Sequence, residues 1–112
     1  MTDDKTTLGL TPENQDFIKE LEPPFGSGLD AARFAMTLAI REGATPDEVS
    51  NTNTVWNRGT FDGDGDFREL VVALYPETNA PYRDIEYFIN EGLDIMRKHK
   101  EENKSLSLQD LL

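Results

Sequence analysis

The segment from Leu29 to Ile40 constrains the fold more than any other. Leu29, Ala31, Ala32, Phe34, Ala35, Met36, Leu38, Ala39 and Ile40 are apolar, and only Asp30, Arg33 and Thr37 interrupt them. Ser27 ahead of this run is a helix N-cap residue and Gly43 behind it a stop, so the pattern predicts a helix reaching Glu42. A helix that is apolar around its whole circumference must be covered around its whole circumference. A chain of 112 residues is one domain, with few further elements to surround a central helix. Self-association is therefore expected, with Phe34, Met36 and Ile40 at a subunit interface.

The flanking segments read as helices of ordinary amphipathicity. Thr11-Pro12-Glu13 is a start signal of hydroxyl cap, proline and first-turn acid. Phe17, Ile18 and Leu21 form its apolar face, and Pro23-Pro24 is expected to end it. Thr45-Pro46-Asp47-Glu48 repeats the start signal and predicts a short helical turn. Phe67, Leu70, Val71 and Leu74 recur at i, i+3, i+4 and i+7, a helix that ends at Pro76. From Pro81 a last helix carries the stripe Tyr82, Ile85, Ile89, Leu93 and Met96, with Phe88 and Ile95 beside it. The prediction is an all-α fold, a compact bundle of about four helices with a short extended segment near Val55-Trp56. Residues 1–10 are expected as a flexible N-terminal arm, 11–104 as the helical domain and 105–112 as an apolar C-terminal tail.

Net charge is −11, distributed along both halves of the chain, and such a field repels phosphate backbones on average. A nucleic-acid role would need a local basic patch or a partner. No run approaches the ~20 apolar residues that span a bilayer, and the N-terminus lacks the pattern of a secretory signal. Cysteine is absent, which removes disulfides, thiolate catalysis and cysteine-ligated metal. The expected location is the cytoplasm.

The residues that could bear chemistry are few. Asp62, Asp64 and Asp66 alternate in a way that suits a hard cation, but a calcium loop starting at Asp62 would place Phe67 and Ala73 where glycine and glutamate belong. The run is read as an ordinary turn in which Asp66 caps the following helix, so Asp62→Asn with Asp64→Asn is expected to leave folding nearly unchanged. His99, the one histidine, lies among Arg97, Lys98 and Lys100 in a last helical turn, where cations are favoured. The glycines match no phosphate-binding spacing. No catalytic, cofactor-binding or metal-ligating residue is assigned, no cofactor is expected, and the chain is read as no enzyme. Arg33 and Arg41 lie on one side of the apolar helix, where arginine either pairs with a carboxylate or faces a phosphate. Trp56 beside Asn57 and Arg58 could stack on a base. With Lys19, these arginines are the candidate contacts to DNA or a partner.

Several segments, taken in order, resemble the DndE family of the bacterial DNA phosphorothioation system. They are Leu10-Thr11-Pro12 ahead of the Ala31-Ala32-Arg33-Phe34-Ala35 helix, Trp56-Asn57-Arg58 leading into Glu69-Leu70-Val71-Val72-Ala73-Leu74-Tyr75-Pro76, and Phe88-Ile89-Asn90-Glu91-Gly92-Leu93-Asp94-Ile95-Met96-Arg97-Lys98-His99-Lys100 with its leucine-rich end. The resemblance implies a helical protein that self-associates as a tetramer. Its companions would be a cysteine desulfurase, a sulfur-transfer enzyme and an ATPase that together replace a backbone phosphate oxygen by sulfur. DndE-like proteins are also credited with binding DNA, nicked duplex included, through lysines. Here Lys19 is the only lysine between Lys5 and Lys98, so no lysine site carries over.

The expected function is thus a non-catalytic, oligomeric accessory subunit of DNA sulfur modification. One alternative is an acidic helical adaptor or regulator that occupies a partner's DNA-binding surface. A second is a calcium-responsive module using the Asp62–Asp66 turn.

Overall fold

Two helices cross with their backbones almost touching, and the rest of the molecule is arranged around that crossing. They are α2, Gly28–Arg41, and the long α5, Pro81–Asn103. At the crossing Gly92 faces the carbonyl of Ala35. A methyl group added at position 92 would lie 1.8 Å from that oxygen, so only glycine permits the approach. Ala31, Ala32, Ala35 and Ala39 keep α2 thin on this side, and all four are fully buried.

The computed structural model describes residues 4–103. In chain order its elements are β1 (Thr7–Leu10), α1 (Pro12–Phe25), α2, β2 (Asn53–Asn57), α3 (Arg58–Phe61), α4 (Asp66–Leu74) and α5. The architecture is mostly helical, with five helices and a two-stranded sheet among the described residues, in place of the all-α bundle of four. The periodicity of α5 is realised as read: Tyr82, Ile85, Phe88, Ile89, Leu93 and Met96 are all buried.

Each departure has a physical cause. Residues 7–10 are not an arm but a strand, antiparallel to β2, with Leu8 and Leu10 fully buried. The register slips between Leu8 and Gly9, where a β-carbon on Gly9 would meet the Asn53 carbonyl oxygen at 2.7 Å. The other edge of β1 pairs with side chains of α5. Gly9 N–H donates to Glu86 Oε2 (2.8 Å), Asn90 Nδ2 donates to the Gly9 carbonyl (3.1 Å), and Thr11 N–H donates to Asn90 Oδ1 (3.1 Å). Glu86 and Asn90, one helical turn apart, stand in for a third strand. Lys5 Nζ, 3.1 Å from Glu86 Oε2, balances the buried carboxylate.

Helix α1 runs through Pro23-Pro24 to Phe25 and is closed by Gly26 at φ 90°. Proline's φ suits a helix, and its penalty is a missing N–H and a clash one turn back. In this exposed last turn the Gly26 N–H still bonds the Glu22 carbonyl at 2.7 Å. Thr45 to Glu48 form no helical turn; this segment belongs to the loop between α2 and β2, where Tyr75 Oη donates to the Ala44 carbonyl at 3.0 Å. Residues 105–112, expected as an apolar tail, lie outside the described residues. Among the described residues no helix is long and apolar enough to cross a membrane.

Candidate nucleic-acid and partner interface

Besides the Glu86–Asn90 cluster beside β1, a second buried polar cluster lies between the end of α3 and the starts of α4 and α5. Asp62, only 6% exposed, accepts from the backbone N–H of Phe67 and of Arg68, each at 3.0 Å, and from Tyr82 Oη, also at 3.0 Å. The carboxylate that caps α4 is therefore Asp62 rather than Asp66. Gly65, at φ 77°, takes the N-cap backbone position and has no side chain to offer. Asp4 plays the same part for α5, accepting from the N–H of Tyr82 (2.9 Å) and of Arg83 (3.1 Å). In both cases an aspartate from outside the helix meets two of the unpaired amides that open it.

Tyr82 links the two devices. Burial, then its hydrogen bond to Asp62 and the charge of that carboxylate, push the phenol above its ordinary value of 10.0, while Arg58 and Arg68 act in the opposite direction. Burial also raises Tyr87, with the charges of Glu91, Asp47 and Asp94 adding to it.

The four basic residues singled out from the sequence lie on three elements: Lys19 on α1, Arg33 and Arg41 on α2, and Arg58 on α3. Arg33 clamps α3 onto α2: Nε and Nη2 donate to the Phe61 carbonyl at 3.3 and 2.9 Å, and Nη2 reaches the Thr60 carbonyl at 3.4 Å. Its guanidinium also lies 5.8 and 6.0 Å from the rings of Phe61 and Phe67. These contacts are made within the chain and mainly to carbonyls, with the Asp30 carboxylate at 3.7 Å. Arg58 lies 5.1 Å from the Tyr82 ring and donates to the Lys5 carbonyl at 3.5 Å. Arg41 is exposed at the end of α2, 3.8 Å from the Glu42 carboxylate, and Lys19 is exposed on α1.

Internal pairing takes up much of the positive charge. Lys5, Arg33, Arg41, Arg83, Arg97 and Lys100 each lie within ion-pair distance of a carboxylate, namely Glu86, Asp30, Glu42, Asp84, Asp94 and Glu20. Trp56 is half-buried with its ring 6.2 Å from Phe61. It packs as a lid on that phenylalanine.

The interface candidates separate by depth. Met36 is fully buried in the chain's own core, so α1 and α5 already supply cover that the composition of α2 had assigned to a second subunit. Phe34 and Ile40 remain half-buried, with Thr37 exposed between them, and Phe34 packs against Phe25 at 5.1 Å. The face of α2 open to a partner is the strip through Phe34, Thr37 and Ile40.

Both oxygens of Asp62 face backbone amides. Among the described residues no group of three or more His, Cys, Asp or Glu side chains could hold a metal ion. Sequence reasoning missed Asp4, Glu86 and Asn90 entirely. Their signal is faint, since each is a polar residue whose partner lies more than 75 positions away.

No protein-family model matches the chain, and no curated protein matches it in sequence. Among solved structures, the crystal structure of DndE from Escherichia coli B7A, described as involved in DNA phosphorothioation modification, matches with a TM-score of 0.57 at 20% sequence identity. The match covers 86% of this chain and 100% of that one. This chain thus has a DndE-like fold.

Proposed function

We propose that this protein is a non-catalytic, oligomeric accessory subunit of a bacterial DNA phosphorothioation complex. The observation that carries this reading is the end-to-end likeness of fold to DndE, spanning the whole of that chain. The order of the sequence segments described above supports it independently. In this role the protein supplies no reacting group. It assembles with sulfur-transfer and ATPase subunits, and its half-buried α2 strip through Phe34 and Ile40 is the natural surface for self-association. Co-expression of a tagged chain with those subunits tests the assembly: a stoichiometric complex is the expected result, and clean separation of the tagged chain from all of them counts against it. Light scattering tests the oligomer, whose mass should exceed the 12.6 kDa of one chain and fall when Ile40→Asp places a charge on the strip.

One observation favours a second reading, in which DNA is contacted by the partners and this subunit presents an acidic face to them. The exposed surface of α1 carries Glu13, Asp16, Glu20 and Glu22, while six described basic residues are paired internally. Gel-shift measurements at low salt separate the two. Binding of duplex or nicked DNA by the isolated chain supports direct contact, and DNA binding only by the co-purified complex supports the acidic-face reading.

A further inference from the structure

Strand β2 pairs with β1 along one side, and its other edge has no strand beside it among the described residues. Such an edge is a row of backbone donors and acceptors open to a further strand, and proteins ordinarily blunt it with lysine, other charges, proline or a bulge. Asn53–Asn57 carries no charge and no proline. Its one such device is the bulge: Leu8 pairs with Trp56 and Gly9 with Thr54, which skips Val55 and leaves that side chain 39% exposed. Asn53, Thr54 and Asn57 are exposed as well. The strand lies within Val49 to Asn57, nine residues that form the longest stretch of the sequence without a charged side chain.

Two copies of a chain with net charge −11 repel one another on average, so they approach most easily where neither presents a carboxylate. The strand is also close to a palindrome. Asn-Thr-Val-Trp-Asn laid antiparallel on itself about Val55 sets each Asn53 opposite an Asn57, each Thr54 opposite a Trp56, and Val55 opposite Val55. Threonine against tryptophan is a β-branched–aromatic pair of the kind that stabilises antiparallel strands, and no like charges meet. Facing asparagine amides can each donate to and accept from the other. We propose that the open edge of β2 pairs with β2 of a second copy, antiparallel about a twofold axis at Val55. The two sheets then become one of four strands in the order β1-β2-β2-β1. The contact is isologous and therefore closes at two copies. It uses a different surface from the α2 strip and stands apart from the role in DNA modification.

The chain has no cysteine, so Val55→Cys introduces a single thiol. Residues directly opposite on antiparallel strands lie about 4.5–5.5 Å apart at Cα, within the range a disulfide spans. Mild oxidation of full-length Val55→Cys at micromolar concentration should give disulfide-linked dimer at least about tenfold faster than Asp64→Cys, a control in the exposed turn between α3 and α4. Charge reversal supplies the second readout, by light scattering on dilution. Val55→Lys and Val55→Glu each set like charges opposite one another, and each alone should need at least about tenfold higher concentration than wild type to assemble. Mixed in equal amounts, the two variants should recover assembly. Circular dichroism should show both folded, since Val55 is exposed. Cross-linking of Val55→Cys no faster than that of Asp64→Cys overturns the proposal. So does a Val55→Lys dilution curve that coincides with wild type, or a mixture no more assembled than its components, and either leaves the edge to a strand of another protein.

Discussion

Asp62 joins the start of α4 to the ring of Tyr82 through three hydrogen bonds. Read as one aspartate in a solvated turn, its replacement by asparagine should change nothing. In the structure its two oxygens meet three donors, the amides of Phe67 and Arg68 and the phenol of Tyr82, all at 3.0 Å. Hydrogen bonds to a charged acceptor contribute about 1.5–3 kcal/mol each when buried, and a lost N-cap costs about 0.5–2 kcal/mol. The two amides lie at the start of a largely exposed helix, where water replaces part of what is lost, while the phenol is buried. Asp62→Ala should therefore destabilise the fold by about 2–4 kcal/mol. Asp62→Asn keeps one acceptor but turns an N–H₂ group toward an N–H donor, for about 1–2 kcal/mol. Urea unfolding followed by the fluorescence of Trp56, whose ring lies 6.2 Å from that of Phe61, measures both. Asp64→Asn is the control: Asp64 is exposed, and its variant should stay within about 0.5 kcal/mol of wild type. If Asp62→Asn is equally silent, the capping role is wrong.

Other substitutions probe the remaining joints. Gly92→Ala drives a methyl into the Ala35 carbonyl and should destabilise by about 3 kcal/mol or more, seen as a large fall in thermal midpoint; a normal melt would mean that α2 and α5 do not cross there. Asn90→Ala strips partners from the Gly9 carbonyl, the Thr11 amide and Asn14, so about 2–4 kcal/mol should be lost, with the Leu8 and Leu10 amides exchanging hydrogen faster than those of α5. Tyr82→Phe should cost about 1 kcal/mol near neutral pH. Because the folded protein holds the Tyr82 proton above the ordinary value of 10.0, that group's contribution is complete below about pH 10 and is lost as pH rises through its folded-state value. The gap between wild type and Tyr82→Phe should accordingly narrow in alkaline urea titrations, and a gap independent of pH argues against the buried phenol. Met36→Asp should unfold the chain outright rather than only split an assembly, since Met36 is buried within one subunit.

The sequence made legible those elements whose signals are local. The stripe of α5 and the caps of α1 and α2 are written in residues three or four apart. Thr11 accepts from the Asn14 N–H and Ser27 from the Asp30 N–H, as their hydroxyls predict. Strand β1 escaped because four residues hold too little alternation to stand out, and because its stability comes from Glu86 and Asn90, far along the chain. The full apolar circumference of α2 was read as a surplus needing a second subunit. The close Gly92 crossing and the partial cover by α1 account for much of that surplus. The Asp62 cap was missed because the turn loops back by five and six positions, beyond the three-residue spacing of an ordinary N-cap. Basic residues were the least legible, since whether an arginine clamps a carbonyl or faces solvent depends on tertiary neighbours.

Participation in DNA sulfur modification is tested most directly in the organism that encodes the chain. DNA from a strain lacking it is digested to nucleosides and dinucleotides, and the phosphorothioate-linked dinucleotides are quantified by mass spectrometry against the parent strain. The expected result is their loss on deletion and their return when the wild-type chain is supplied, with Gly92→Ala failing to restore them. Phosphorothioate content unchanged by the deletion, in a parent strain that contains it, would contradict the proposed role.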